Sequence, residues 1–186
     1  MEYITGDHIT GETIKSIRQM LSMTQREFAK FACVSKPTVE RWEMSDKEIT
    51  GPIVLLQQIL LMHPELVKEM ELPKQTLPFR MLYCYKDSVC TVIDIDEINR
   101  EVRIKNYAKN LIFRAFGRNE NPSFEDYEEF IESRCFPRER DKMKLMLKEL
   151  DIPFYDPILI IEKTEGRMAD DNILAFPSGG RWPKAG

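Results

Sequence analysis

The sequence predicts two domains of different fold class, a small all-α domain followed by a small α+β domain. Three observations indicate this division. Apolar residues recur at helical spacing up to about residue 70, strand-like alternation begins near Phe79, and the segment between them, "ELPKQTLP", holds two prolines. We therefore place a first domain at residues 1–72, a linker at 73–78, a second domain at 79–176 and a flexible tail at 177–186.

About five short helices account for the first domain. Ile14, Ile17 and Leu21 share one helical face and predict a helix over residues 13–21. Thr24 and Glu27 have the spacing of a capping box, which predicts that a second helix begins there. A third helix begins after Ser35, with Pro37 tolerated in its first turn, and "GPIVLLQQILLM" and "HPELVKEM" predict two more helices that each start with a proline.

The stretch "TQREFAKFACVSKPTVERWE", Thr24 to Glu43, resembles the Cro/C1 (Xre) class of helix-turn-helix domains, and the resemblance extends over about residues 12 to 70. It implies that the protein binds double-stranded DNA as a transcriptional regulator. It also implies a buried ion pair between Arg18 and Glu43. Cys33 stands where the family turn usually carries Gly, and a left-handed conformation there costs about 1 kcal/mol, so we expect a slightly distorted turn.

The resemblance also supplies the candidate DNA-binding residues. It implies that four residues of the third helix enter the major groove, namely Lys36, Pro37, Thr38 and Arg41. Gln25 and Ser35 are expected to reach phosphates or neighbouring bases, while Arg26 and Lys47 add positive charge beside the motif.

Charge does not by itself indicate a nucleic-acid partner. Residues 1–70 hold eight Lys or Arg against ten Asp or Glu, and the whole chain has a formal net charge of −4. The alternative interpretation of this stretch is two packed helices of an ordinary bundle, since caps serve any helix. If the domain does bind DNA, we expect weak nonspecific affinity and a homodimer that binds an inverted-repeat operator.

The second domain begins with strand patterns. "FRMLYCY", "VCTVIDI" and "EVRIKNY" are rich in aromatic and β-branched residues and predict an antiparallel meander. Three helices are expected to follow. The first starts after Ser123, the second spans 138–150 and the third runs from Asp156 to about Gly166.

A second resemblance covers "FIESRCFPRERDKMKLMLKELDIPFYDPILIIEKTEGRMADD". This segment resembles the stretch near the head of HipA-like kinases, a small domain that in some operons is a separate polypeptide. The matched positions are Arg134, Pro137, Arg140 and Asp171. "HPEL" resembles the subgroup of helix-turn-helix proteins found among antitoxins of toxin-antitoxin systems. The expected partner is therefore a HipA-like toxin kinase, contacted through exposed groups of one connection, namely Arg134, Phe136, Arg138 and Arg140.

The chain shows no recognisable catalytic set, and we expect neither enzyme activity nor a cofactor. It has no Gly-rich phosphate loop and no histidine after His63. Asp94, Asp96 and Glu97 can either hold Mg²⁺ or form an acidic strand end, and we favour the strand end. The four cysteines, Cys33, Cys84, Cys90 and Cys135, form no CxxC pair, so we expect reduced thiols and no metal site.

The sequence also indicates where the protein is located and which functions fit it. The chain has no apolar run of about 18 residues, and the N-terminus "MEYITGDHIT" is not a secretion signal, so we expect a cytoplasmic protein without membrane contact. Two functions fit the sequence. One is an antitoxin-like repressor that regulates its own operon and restrains a partner protein. The alternative is a phage-type or metabolic repressor whose C-terminal domain senses a small ligand.

Overall fold

The fold was analysed in a computed structural model, which describes residues 4–136, 143–164, 166 and 173–177. The chain divides into two compact units, Met1–Glu71 and Leu72–Gly186, called here the N-terminal unit and the C-terminal unit. Within the described residues, no helix combines the length and the apolar character that a membrane span requires.

The N-terminal unit is helical, as predicted. Its helices are α1 (Gly11–Met20), α2 (Gln25–Phe31), α3 (Lys36–Glu43), α4 (Pro52–Met62) and α5 (Leu66–Glu69). Helix α1 begins two residues earlier than predicted because the Thr10 hydroxyl accepts a hydrogen bond from the Thr13 amide. The prediction that a proline starts the last helix was wrong, since α5 begins at Leu66 and is one turn long.

One apolar core joins the helices of the N-terminal unit. Its most deeply buried members are Ile14, Phe28, Val39 and Leu60, which come from α1, α2, α3 and α4 respectively. Because each helix contributes a residue to the same core, the relative placement of α2 and α3 depends on packing against α1 and α4.

The C-terminal unit contains an antiparallel sheet with the strand order β3-β2-β1-β4. The strands are β1 (Phe79–Tyr85), β2 (Ser88–Asp96), β3 (Glu101–Asn106) and β4 (Ile173–Pro177). The predicted meander corresponds to β1, β2 and β3. Strand β4 was not predicted, and it pairs with β1 from Tyr85↔Ile173 to Met81↔Pro177.

Helices cover one face of this sheet. The described helices are α6 (Phe124–Ser133), α7 (Met143–Glu149) and α8 (Pro157–Thr164), with a short 3₁₀ turn at Leu111–Phe113. Met81, Ile93 and Ile95 of the sheet share a core with Ile131 of α6 and Ile161 of α8. The predicted helix over 138–150 is described only from Met143 onwards, and residues 138–142 lie outside the described part of the chain.

The two cysteines of the first hairpin lie on opposite faces of the sheet. Cys84 pairs with Val89 across a β-bulge and belongs to a small cluster with Leu82 and Val92. Cys90 belongs to the helix-covered core. All four cysteines are present as separate thiols. Burial raises the pKa of the Cys84 thiol to about 12, so this group stays protonated near neutral pH.

Residues of the predicted linker belong to the C-terminal unit and contact its first two strands. Arg80 and Asp94 form a buried ion pair at 2.5 Å across β1 and β2, and the Arg80 guanidinium also donates to the carbonyl oxygen of Pro73 at 2.7 Å. The Thr76 amide donates to the Asp94 carboxylate at 3.4 Å. Asp94 is therefore engaged in an internal ion pair, which agrees with a structural role for this acidic residue.

Candidate nucleic-acid interface

The turn between α2 and α3 has a regular hydrogen-bonded geometry. Cys33 adopts a φ of +55°, in the left-handed region. The Val34 amide donates to the Ala29 carbonyl at 2.9 Å, and the Cys33 amide donates to the Lys30 carbonyl at 3.3 Å. These two bonds are those of a Schellman motif. The distortion expected from a non-glycine residue is not seen, since both bonds form.

Side-chain caps define where both helices of the motif begin. The Thr24 hydroxyl accepts a hydrogen bond from the Glu27 amide, and the Glu27 carboxylate accepts one from the Thr24 amide at 2.7 Å. Ser35 caps α3 by accepting a bond from the Thr38 amide at 3.3 Å. These caps satisfy amides that have no partner within the helix, so the register of α2 and of α3 is set locally.

An ion-pair network connects α1, α2 and α3. The Arg18 guanidinium donates to both carboxylate oxygens of Glu43, at 2.6 and 3.1 Å, and to the carbonyl oxygen of Met23. The Gln25 side-chain amide donates to the same carboxylate at 2.8 Å. Hydrogen bonding from Arg18 lowers the pKa of Glu43, and hydrogen bonding from Glu43 raises the pKa of Arg18. The ion pair that the family resemblance implied is therefore present, and it anchors the end of α3.

Glycine at position 11 allows α1 to approach the end of α3. A Cβ atom added to Gly11 would lie 2.1 Å from the carbonyl oxygen of Trp42, far inside van der Waals contact. This backbone contact and the Arg18–Glu43 pair hold α1 against α3 at two points. Because these two contacts fix one side of α3, the opposite side of the helix can contact a ligand without rearrangement of α3.

Most of the predicted DNA-binding residues lie on the exposed surface of this motif. The exposed ones are Arg26, Ser35, Lys36, Pro37, Arg41 and Lys47. Gln25 and Thr38 are half-buried. The Gln25 amide is engaged with Glu43, and the Thr38 hydroxyl lies 2.8 Å from that of Ser35. The sequence prediction did not include these internal bonds.

Glu40 takes part in an ion pair on α3 that was not predicted from the sequence. Its carboxylate lies 2.6 Å from the Lys36 ammonium, one turn away on α3. The i, i+4 spacing of the two residues was a signal that could have identified this pair. Lys36 is partly neutralised by the pair, whereas Arg41 is exposed and has no hydrogen bond or ion pair within the described part of the chain. Arg41 is therefore the more available cation of α3.

The predicted partner-binding residues are less accessible than expected. Arg134 is half-buried, and its guanidinium donates to the Tyr83 hydroxyl at 3.1 Å. Phe136 is also half-buried and meets the Tyr155 ring edge to face, with centroids 6.0 Å apart. The expectation that these two side chains are exposed was wrong, because both pack within the C-terminal unit. Three of the matched positions, Pro137, Arg140 and Asp171, and the predicted contact residue Arg138 lie outside the described residues.

Other acidic and thiol groups of the C-terminal unit have structural partners. Two acids of α6, Glu125 and Glu128, pair with Arg100, which follows β2, at 2.8 and 3.2 Å. Cys135 is buried, and burial raises the pKa of its thiol to about 12. This agrees with a core role for that thiol rather than a reactive one.

A comparison with protein families supports the same interpretation of the N-terminal unit. Residues 14–56 match a family model described as helix-turn-helix. No curated protein matches the chain. The matched segment begins within α1, includes α2, the turn and α3, and ends within α4. Residues 14–56 thus form a helix-turn-helix domain of the Cro/C1 type, and the chain is a DNA-binding transcription regulator.

Proposed function

We propose that the protein is a transcriptional repressor that binds an inverted-repeat operator as a homodimer and regulates its own operon. The proposal rests on the exposed surface of α3. This helix is capped at Ser35, tied to α1 through Glu43 and leaves Arg41 exposed on its free surface. Such a helix enters the major groove in helix-turn-helix complexes, where Arg commonly forms paired hydrogen bonds with guanine.

The proposal is tested by the sequence dependence of binding. The wild-type protein first selects its operator from a random DNA pool, and affinities are then measured for that operator and for a scrambled duplex. Arg41→Ala should cost about 1 to 3 kcal/mol on the operator and little on the scrambled duplex, because base contacts carry the specificity. Lys47→Ala is the matched control. It should weaken binding to both duplexes equally and reduce the salt slope by about 1.

Equal losses on both duplexes for Arg41→Ala would mean that this guanidinium contacts phosphate only. Failure to enrich any sequence from the pool would remove the repressor proposal itself.

An apolar stripe on α4 supports the homodimer. Leu55, Ile59 and Met62 are 54%, 36% and 53% exposed, and their spacing places them on one face of the helix. One helix-turn-helix covers one half-site, so an inverted repeat needs a second copy. Pairing this stripe with its symmetry mate would bury the apolar side chains and provide the two copies.

The proposed role of the C-terminal unit is to bind a HipA-like kinase. Support comes from the resemblance of the segment around Arg134 to the head of such kinases, and from "HPEL" before α5. The test is co-expression of the full chain with a kinase encoded beside it, followed by purification and mass measurement. A stoichiometric complex is expected, and its loss on reversing the charges of Arg138 and Arg140 would assign the contact.

A second function, a repressor that senses a small ligand, is favoured by one specific observation. A cavity of about 1060 Å³ lies within the C-terminal unit. This volume is slightly above the range typical of small-molecule sites, about 300 to 1,000 Å³. Binding of a metabolite there, with a change in operator affinity, would favour this function over kinase binding.

A further inference from the structure

The cavity of the C-terminal unit lies where one end of the sheet meets two helices. Phe79 of β1 and Ile95 of β2 form its sheet side, and Phe124 and Tyr127 of α6 face them. The first residues of α8, including Pro157, complete the wall. The cavity is thus built from regular elements with a shared apolar core, which gives it a defined shape.

The cavity wall is strongly acidic. Among the described residues it carries seven carboxylates and a single cationic side chain, the guanidinium of Arg100. That guanidinium pairs with Glu125 and Glu128 and lies 4.4 Å from the centre of the Phe124 ring. The rim therefore already holds one of the chain's own cations between carboxylates and an aromatic face.

The remaining carboxylates of the cavity wall differ in their hydrogen bonding. Asp96 accepts two bonds from Asn99, and Asp156 accepts bonds from the first amides of α8. Glu97 and Glu129 have no hydrogen bond or ion pair within the described residues. At least two lining carboxylates are thus available to a ligand.

A buried hydroxyl group provides a second, independent observation. Tyr127 is 3% exposed, and its hydroxyl has no hydrogen-bond partner among the described protein groups. Burial raises the pKa of Tyr127, and the charges of Glu97, Asp156 and Glu128 raise it further. Tyr127 is itself one of the residues that line the cavity, as are all three of these carboxylates. A buried hydroxyl left without a partner costs about 1 to 3 kcal/mol, which a ligand donor would relieve.

We infer that this cavity binds a linear organic polycation, a polyamine, whose ammonium groups contact Glu97, Glu129 and the Tyr127 hydroxyl while its methylene chain lies against the aromatic wall. Ammonium groups donate hydrogen bonds to carboxylates and to a phenol oxygen, and methylene segments bury against rings.

A metal ion fits the same cavity poorly. No group of three or more Asp, Glu, His or Cys side chains within the described ranges is close enough to hold one. A divalent cation needs several oxygens at about 2.0 to 2.6 Å from one point. The dispersed carboxylates suit a ligand whose charges are spread along a chain.

The inference rests on the second proposed function, a repressor that senses a small ligand, and names the class of that ligand. It concerns only the cavity. Its test contains no DNA, so it can fail without affecting the repressor proposal, and operator binding can fail without affecting the cavity. The probe is spermidine, titrated calorimetrically into the full chain in buffer of low ionic strength. Saturable binding to one site is expected.

Three variants separate the cavity from general attraction to an acidic protein. Tyr127→Phe changes no charge and should weaken spermidine binding about tenfold, the loss expected for one hydrogen bond to a charged group. Its melting temperature should be equal to or above that of the wild type, because the removed hydroxyl has no partner in the protein. Glu97→Gln should weaken binding to a similar degree. Glu149→Gln removes an equal charge from exposed surface on α7 and should leave binding unchanged.

Two results would overturn the inference. One is spermidine binding that Glu149→Gln weakens as much as Glu97→Gln, which would indicate diffuse attraction. The other is no spermidine binding, while a short oligolysine peptide binds in a manner that depends on Tyr127 and Glu97. That outcome would indicate that the cavity binds basic side chains of a partner protein.

Discussion

At the scale of single residues, the backbone conformation of Cys33 decides the shape of the DNA-binding motif. Its φ of +55° lets the Val34 amide reach back to the Ala29 carbonyl and turns the chain into α3. Glycine adopts this conformation without strain, whereas a residue with a Cβ does not. The chain therefore holds a small amount of strain at the turn.

Cys33→Gly should raise the free energy of unfolding of the N-terminal unit by about 0.5 to 1 kcal/mol, because the relief of strain exceeds the extra entropy of the unfolded chain. The measurement is urea unfolding followed by the fluorescence of Trp42, in a Trp182→Phe background that leaves one tryptophan.

Cys33→Ala serves as the control, since it removes the thiol but keeps the Cβ. It should leave stability nearly unchanged. An equal gain from both substitutions would show that the exposed thiol, and not the conformation, is responsible.

At the scale of elements, the Arg18–Glu43 pair determines how three helices are held together. Its side chains are 14% and 6% exposed, so water screens the interaction only partly. Removing one partner from such a pair leaves the other desolvated without compensation. The pair therefore affects the position of α3 as well as the stability of the unit.

The lowered pKa of Glu43 predicts how stability depends on pH. A carboxyl with a lowered pKa in the folded state contributes stability that is fully present above its unfolded value, about 4.3, and is lost as pH falls through the folded value. Glu43→Gln should therefore lower the free energy of unfolding by about 1 to 2 kcal/mol at pH 7 and by less at pH 3. The same Trp42 fluorescence assay measures both.

Glu12→Gln provides the comparison, since Glu12 is an exposed acid of α1. Its effect should be small at both pH values. If Glu43→Gln destabilises the unit equally at pH 7 and pH 3, the loss comes from packing and not from the charge of Glu43.

At the scale of the whole molecule, the proposed homodimer makes a prediction that two leucines of α4 can test. Leu55 and Leu61 are 54% and 53% exposed, but they lie on different faces of the helix. Leu55→Glu should convert the dimer to a monomer in sedimentation experiments, because a charge in an apolar interface is left without a partner. Leu61→Glu, at a residue of matched type and exposure, should remain dimeric.

Operator footprints should follow the oligomeric state. The wild type should protect two half-sites with centres about 34 Å apart, one turn of DNA. A monomeric wild type that protects a single half-site would contradict the dimer, and a dimer unaffected by Leu55→Glu would place the interface elsewhere.

Sequence patterns predicted the features that depend on neighbouring residues. Thr24 and Glu27 are three positions apart, so their capping box could be identified without knowledge of packing. The strands of the meander were also predictable, since their segments are rich in aromatic and β-branched residues. Local signals of this kind were sufficient for the fold class and for the helix-turn-helix motif.

Features that depend on distant residues were missed. Arg100 pairs with Glu125 and Glu128, which lie 25 and 28 residues further along the chain. The Gln25 bond to Glu43 and the placement of Tyr127 beside a cavity likewise depend on how elements pack. No local periodicity encodes these relations, because they arise only when separate elements meet.

The position of β4 affects the order in which the two units can be completed during synthesis. Strand β1 leaves the ribosome long before β4. The edge of β1 that pairs with β4 therefore stays unpaired until Ile173 and the residues that follow have been synthesised. The core of the N-terminal unit is made by residues between Ile9 and Val67 and is built from helices, which favours rapid folding. A nascent chain can therefore carry a finished DNA-binding domain while its second domain still lacks a strand.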